Sequence, residues 1–256
     1  MSSIASSKWF VHDQNTKPEN VRLFVFPHGG GSPSQYREWQ TFLGEDCKVY
    51  IASLPGRGAR FLEDPIADME ILIASLSEAI LPLLGPYNVF FGHSLGSAVA
   101  YELAKVLESD HAKKLQKLIV SAKNAPHIPS DAPQLHQLPD TEFIDSLRQY
   151  GGTPDEILSN SELMELQLPM LRADFALSES YFCQEIAKLK CPITVFSGDE
   201  DRFTTQEGLR QWEQYSTPAF NREEFGGGHF YFLNALPDFF NSLKREISTV
   251  FLGSNT

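Results

Sequence analysis

The feature that most narrows what this chain can fold into is Gly92-His93-Ser94-Leu95-Gly96, a serine with a glycine two residues away on either side. Ahead of it, Tyr87-Asn88-Val89-Phe90-Phe91 reads as a buried strand. Behind it, Ser97 to Leu107 shows helical spacing, with Val99, Leu103, Val106 and Leu107 on one side. A serine caught between a strand end and a helix start sits on a sharp, strained turn that lifts its hydroxyl above the sheet. The glycines suit close strand-helix packing, and the helix N-terminus favours negative charge at this point. Alone, the pattern is compatible with a glycine-serine turn without chemistry. Set between a buried strand and an amphipathic helix, it points to a nucleophile.

The flanking chain repeats the strand-helix alternation. Strands are expected at Val21–Phe26, Lys48–Ser53, Leu115–Val120, Pro192–Ser197 and Ala219–Phe225, with a short edge strand at Trp9–Val11. Glu223 and Glu224 argue against an inner place for the last of the main strands. Helices are expected at Pro33–Leu43, Met69–Leu84, Gln206–Tyr215 and Leu236–Phe251. This interval implies βαβ units: an α/β fold with a mainly parallel central sheet flanked by helices. At 256 residues, without internal repeats, one domain spanning 1–256 is expected. Within it, residues 125–185 break the rhythm. Four prolines (126, 129, 133 and 139) precede helical stretches at Thr141–Tyr150, Asp155–Leu158 and Ser161–Phe182. The last is apolar on more than one side, which fits a helical lid packed on the sheet and lining an apolar chamber. Pro169 is expected to kink or split it.

Composition removes several classes. Twenty-one Lys and Arg stand against 33 Asp and Glu, a formal charge of −12, which argues against nucleic acid and anionic membranes as partners. Cys47, Cys183 and Cys191 have no paired spacing, and Met1–Lys8 lacks an apolar signal core. A cytoplasmic monomer with free thiols is the expectation. No metal motif and no dinucleotide or phosphate loop is present, so no metal and no cofactor are expected.

A serine hydroxyl needs a base, and the base needs a carboxylate to fix its tautomer. In the α/β-hydrolase fold these follow in the order Ser, Asp or Glu, His. The chain offers Ser94, an acid at 199–201, and His229 in the glycine-rich loop Gly226-Gly227-Gly228-His229-Phe230. Of the acids, Asp201 is chosen, because Gly198 lets the chain turn so that the third residue on reaches the site; Asp199 is the alternative. His93 is expected to point away from Ser94, and His28 to prop its loop. Pro27-His28-Gly29-Gly30-Gly31-Ser32 follows a buried strand. Its glycines suit one half of an oxyanion hole, assigned to the Gly29 N–H, with the Leu95 N–H as the other half. A flexible turn is the plainer reading of that loop.

Several segments together resemble the stand-alone (type II) thioesterases of nonribosomal peptide and polyketide assembly lines. They are Phe26-Pro27-His28-Gly29-Gly30-Gly31-Ser32, Leu54-Pro55-Gly56-Arg57-Gly58, the Ser94 elbow, Leu171-Arg172-Ala173-Asp174-Phe175 with Glu179-Ser180-Tyr181, and the His229 loop. The likeness spans residues 20–245. The Pro-Gly-Arg-Gly and Arg-Ala-Asp-Phe segments discriminate most, since the elbow alone is shared with lipases and esterases. Gly29 is a departure, where relatives often have alanine; a backbone donor survives that change. The family's Gly-x-x-Asp turn supports Asp201. The resemblance implies a serine thioesterase that hydrolyses acyl groups from the 4′-phosphopantetheine arm of acyl or peptidyl carrier proteins, clearing stalled carriers or releasing products. Since carriers are commonly acidic, as this chain is, transient docking is expected to be weak, mostly apolar, or focused on Arg37, Arg57 or Arg60. The rivals are a medium-chain acyl-carrier thioesterase of fatty acid synthesis, a carboxylesterase or lipase, and a non-catalytic binding protein on the same scaffold.

Overall fold

The computed structural model describes residues 8–12, 21–45, 47–109, 115–129, 133–233 and 236–252. The Ser-rich start of the chain, His111 and the tail therefore lie outside the described residues. Seven strands form one sheet: β1 (Phe10–His12), β2 (Val21–Phe26), β3 (Cys47–Ala52), β4 (Tyr87–His93), β5 (Lys117–Ser121), β6 (Ile193–Gly198) and β7 (Phe220–Phe225). Their spatial order is β1-β3-β2-β4-β5-β6-β7. Only β1 runs antiparallel to its neighbour; all other pairings are parallel. Eight α-helices accompany them among the described residues: α1 (Trp39–Leu43), α2 (Met69–Ile80), α3 (Leu95–Ser109), α4 (Asp140–Tyr150), α5 (Asp155–Leu158), α6 (Ser161–Ser180), α7 (Gln206–Arg210) and α8 (Leu236–Leu252).

Period-two alternation divides each inner strand between two cores. In β2, Phe24 and Phe26 join one cluster with Phe90, Leu72, Leu103 and Trp212. Leu23 and Val25 face the other cluster, where Trp39, Phe91, Phe239 and Leu243 pack. The sheet is thus covered on both faces, as parallel strands require. β7 lies at the sheet edge, where Glu223 reaches out to Arg245.

Two expected helices are interrupted. Pro33–Leu43 splits into a 3-10 turn at Pro33–Tyr36, whose start is capped by the Gln35 side chain accepting from the Ser32 N–H at 2.9 Å, and the short α1. The helix from Met69 ends at Ile80 and tightens to 3-10 at Leu81–Leu83, where Pro82 has no N–H to continue the α ladder. α6 departs in the opposite sense: it runs through Pro169 as one helix instead of splitting there. Met170 and Leu171 beside the proline pack into a third cluster with Phe143, Leu147, Leu158 and Phe175. That packing holds the backbone on course where one ladder bond is lost. The residues between β5 and β6 thus build an insert with its own small core, set over the C-terminal strand ends, where an open α/β sheet places its ligands.

Candidate active site

Ser94 has φ 54°, a left-handed conformation costly for a residue with a side chain. Its surroundings over-determine it. The Ser94 N–H donates to the Ser121 carbonyl at 2.8 Å. A Cβ at Gly92 would fall 2.1 Å from the Gly96 carbonyl oxygen, and one at Gly96 would fall 1.9 Å from that of Phe26. Both flanking positions therefore have to be glycine for α3 to start where it does.

Asp201 and His229 meet across two strand-end loops, with Asp201 Oδ2 3.0 Å from His229 Nδ1. Both side chains are almost wholly buried. The carboxylate also accepts from the Phe203 N–H at 2.9 Å and the Thr204 hydroxyl at 3.2 Å, so its aim is fixed. Asp199 turns elsewhere and accepts from the Gly227 N–H at 2.8 Å. It clamps the two loops together instead of touching the imidazole. Gly198 opens the expected turn, its carbonyl accepting from the Asp201 N–H at 3.4 Å, and glycine is needed there for a second reason: a Cβ would sit 2.2 Å from the Gly227 carbonyl oxygen and 2.3 Å from that of Gly228. With Nδ1 held by a carboxylate, the neutral imidazole keeps its proton there and presents Nε2 as the basic nitrogen.

Ser94, Leu95, Gly29 and His229 line one cavity of about 440 Å³, roofed by the insert. Aromatic rings wall in the imidazole. Phe203 stacks on Tyr150 at 3.8 Å, and both stand edge-on to His229. The Gly30 N–H donates to Asp174 at 2.7 Å and is already engaged. Two further histidines sit near. His93 is fully buried, with Nδ1 2.8 Å from Ser121 Oγ, which in turn lies 2.7 Å from the Tyr231 hydroxyl. His28 pairs with the Tyr36 hydroxyl at 2.8 Å. Burial holds His93 well below the usual imidazole range and takes His28 down to about 3, with the charges of His229 and Arg57 adding to the latter effect. Both stay neutral beside the site.

The three arginines considered for docking part company. Arg57 is buried and bound bidentately to Asp174, at 2.6 and 2.7 Å. Arg60 is buried too, gripping Glu63, donating to the Ser53 carbonyl at 2.6 Å and lying 3.9 Å above the Trp9 ring. Neither has charge to offer a partner, so the docking expectation fails for both; Arg37 is exposed. What sequence reasoning missed was Asp174 as the partner of Arg57. The two motifs were both visible, but nothing in either names the other. Among the described residues no cluster of three or more His, Cys, Asp or Glu side chains could hold a metal ion, and no helix is long and apolar enough to cross a membrane.

The sequence profile of the thioesterase domain family matches residues 21–247. The chain is 37% identical over 231 residues to "Linear gramicidin dehydrogenase LgrE" of Brevibacillus parabrevis, covering 89% of this chain and 88% of that one. It is 32% identical over 247 residues to "Thioesterase PikA5" of Streptomyces venezuelae, covering 96% and 86%. Among solved structures it resembles the type II thioesterase BorB from the borrelidin biosynthetic cluster, with TM-score 0.87 and 31% identity over 96% of this chain and all of that one.

Proposed function

The chain belongs to the thioesterase domain family, and from that premise we propose that it hydrolyses acyl groups carried on the phosphopantetheine arm of carrier proteins in nonribosomal peptide or polyketide synthesis. The likeness to BorB and PikA5 along nearly the whole chain supports the reading. The observation that carries it is one cavity lined by both Ser94 and His229, with Asp201 against the far nitrogen of the imidazole.

In this reading Ser94 Oγ attacks the thioester carbonyl carbon while His229 Nε2 takes the hydroxyl proton. Asp201 holds the tautomer and stabilises the imidazolium. The oxyanion is received by the N–H groups of Gly29 and Leu95, the latter at the positive end of α3. Collapse expels the pantetheine thiolate, protonated by His229, and leaves an acyl-enzyme. Water, deprotonated by His229, then frees the acid and regenerates Ser94. No metal or cofactor is called on. The carrier docks transiently, with exposed Arg37 the remaining basic candidate of the three. The buried cysteines Cys47 and Cys191 fit a reducing cytoplasm and a monomer that needs no disulfide.

The test is hydrolysis of acyl groups on a phosphopantetheinylated carrier domain, set against the matching p-nitrophenyl ester. Preference for the carrier-bound thioester, lost in Ser94→Ala, supports the proposal. Preference for the oxygen ester would favour a carboxylesterase.

A further inference from the structure

The cavity above Ser94 abuts a second one of about 250 Å³, and the two share Lys123, Asn124, Ser178 and Glu179 in their walls. Lys123 follows β5 and reaches Ser178 on α6, donating to its hydroxyl at 3.1 Å and its carbonyl at 3.3 Å. Among the described residues no carboxylate comes within ion-pair distance of this ammonium. Glu179 shares the wall and its charge acts on Lys123 from a distance, while its oxygens are engaged by the N–H groups of Leu135 and His136 and by the His136 ring. Asp174, the other acid in the wall, is held by Arg57. Asn124 accepts from the Thr205 N–H at 3.0 Å through Oδ1, which leaves its side-chain N–H groups as donors. Arg202, exposed, lines the same cavity and has no ion-pair partner among the described residues.

The molecule carries a net charge of −12, yet the wall of this chamber holds two cations, Lys123 and Arg202, without an ion-pair partner among the described residues. A half-buried ammonium that donates only to neutral partners is poorly compensated, and it gains when a ligand brings an anionic acceptor. Burial pulls the Lys123 ammonium down to about 8, so it is still largely charged near neutrality.

Building on the thioesterase reading, we propose that Lys123, with the adjacent Asn124 and with Arg202 in the wall of the same cavity, forms an anion-accepting subsite in the acyl chamber. It selects acyl groups that carry a carboxylate beyond the thioester, the half-thioesters of dicarboxylic acids.

The experiment compares wild type, Lys123→Met, Lys123→Gln and Lys123→Arg on pantetheine thioesters paired by shape: succinyl with 4-methylpentanoyl, glutaryl with 5-methylhexanoyl, and adipyl with 6-methylheptanoyl. The reading is the ratio of kcat/KM for the carboxyacyl group to that for its alkyl partner. At one chain length or more that ratio should fall about tenfold or further in Lys123→Met. Lys123→Gln, which keeps a donor for Ser178 without the charge, should fall alike, and Lys123→Arg should retain the preference. A ratio unmoved at every length, in Met and Gln variants that still cleave the alkyl thioesters, overturns the subsite. Failure of the wild type to cleave any of the six, whether on free pantetheine or on a phosphopantetheinylated carrier domain, overturns the thioesterase reading and the subsite with it.

Discussion

Asp174 on α6 closes a buried bidentate ion pair on Arg57, which lies 117 residues earlier in the loop after β3. The same Asp174 carboxylate accepts the Gly30 N–H, and the same guanidinium donates to the Gly31 carbonyl at 3.1 Å. One pair therefore ties the insert to the glycine loop that faces Ser94. Removing one partner strands a charge in the interior, a loss of about 3–5 kcal/mol. Arg57→Met and Asp174→Asn should lower the unfolding free energy by that order. Because the harm lies in the positioning of the Gly29 loop, turnover should drop equally for carrier-bound and small thioesters. The double variant Arg57→Met/Asp174→Leu should regain stability without regaining kcat. A loss confined to carrier-bound substrates would mean that Arg57 acts by docking after all.

Which acid serves His229 is separable by kinetics. Asp201→Asn removes the carboxylate at Nδ1 and should reduce kcat by about 10⁴. Asp199→Asn weakens only the clamp on the Gly227 N–H, at about 1–3 kcal/mol of stability, and should leave most of kcat. Denaturation curves and steady-state rates on both variants decide the matter; the reverse ordering would assign the role to Asp199.

Gly198→Ala isolates loop placement from chemistry. The added methyl meets the carbonyl oxygens of Gly227 and Gly228 and pushes the His229 loop away from Asp201. A displacement of about 1 Å at a catalytic pair costs on the order of 10²-fold in rate. The expected result is a folded protein with kcat reduced by that order and KM little altered. Unaltered kcat would show that the two loops tolerate separation.

Acid should destabilise the protein through its buried imidazoles. The folded state holds His28 near 3 and His93 well below the ordinary 6.5, so below about pH 6.5 the unfolded chain binds protons that the folded one refuses. Stability is therefore full above that pH and falls as pH drops, by at most about 1.4 kcal/mol per pH unit for each group. Between pH 7 and pH 5, His28→Asn should lose about 2 kcal/mol less than wild type in urea unfolding. Equal losses would mean that His28 is protonated in the folded protein.

Patterns local in the chain were legible from residues alone. Apolar runs such as Val21–Phe26 and Tyr87–Phe91 carry their burial in their own composition, and alternation with helices dictates a parallel sheet. The glycines beside Ser94 state their reason locally as well, because strand, turn and helix are contiguous there. The order Ser94, acid, His229 could be read along the chain, and with it a short choice of acids. Tertiary structure decided whatever depends on which distant groups meet. Arg57 and Arg60 read as free surface charge because a sequence does not show what covers a side chain; folding buries Arg57 against Asp174, 117 residues on, and Arg60 against the Trp9 ring. Asp199 and Asp201 are chemically alike and two residues apart, and only the approach of the Gly226–Gly228 loop separates the clamp from the residue on the imidazole. α6 continues through Pro169 because the insert's core outweighs one missing backbone bond. Local propensity and periodicity depend on neighbours in sequence, and so survive in the sequence. Charge pairing, burial of polar groups and the aim of a side chain depend on neighbours in space, which only the folded chain supplies.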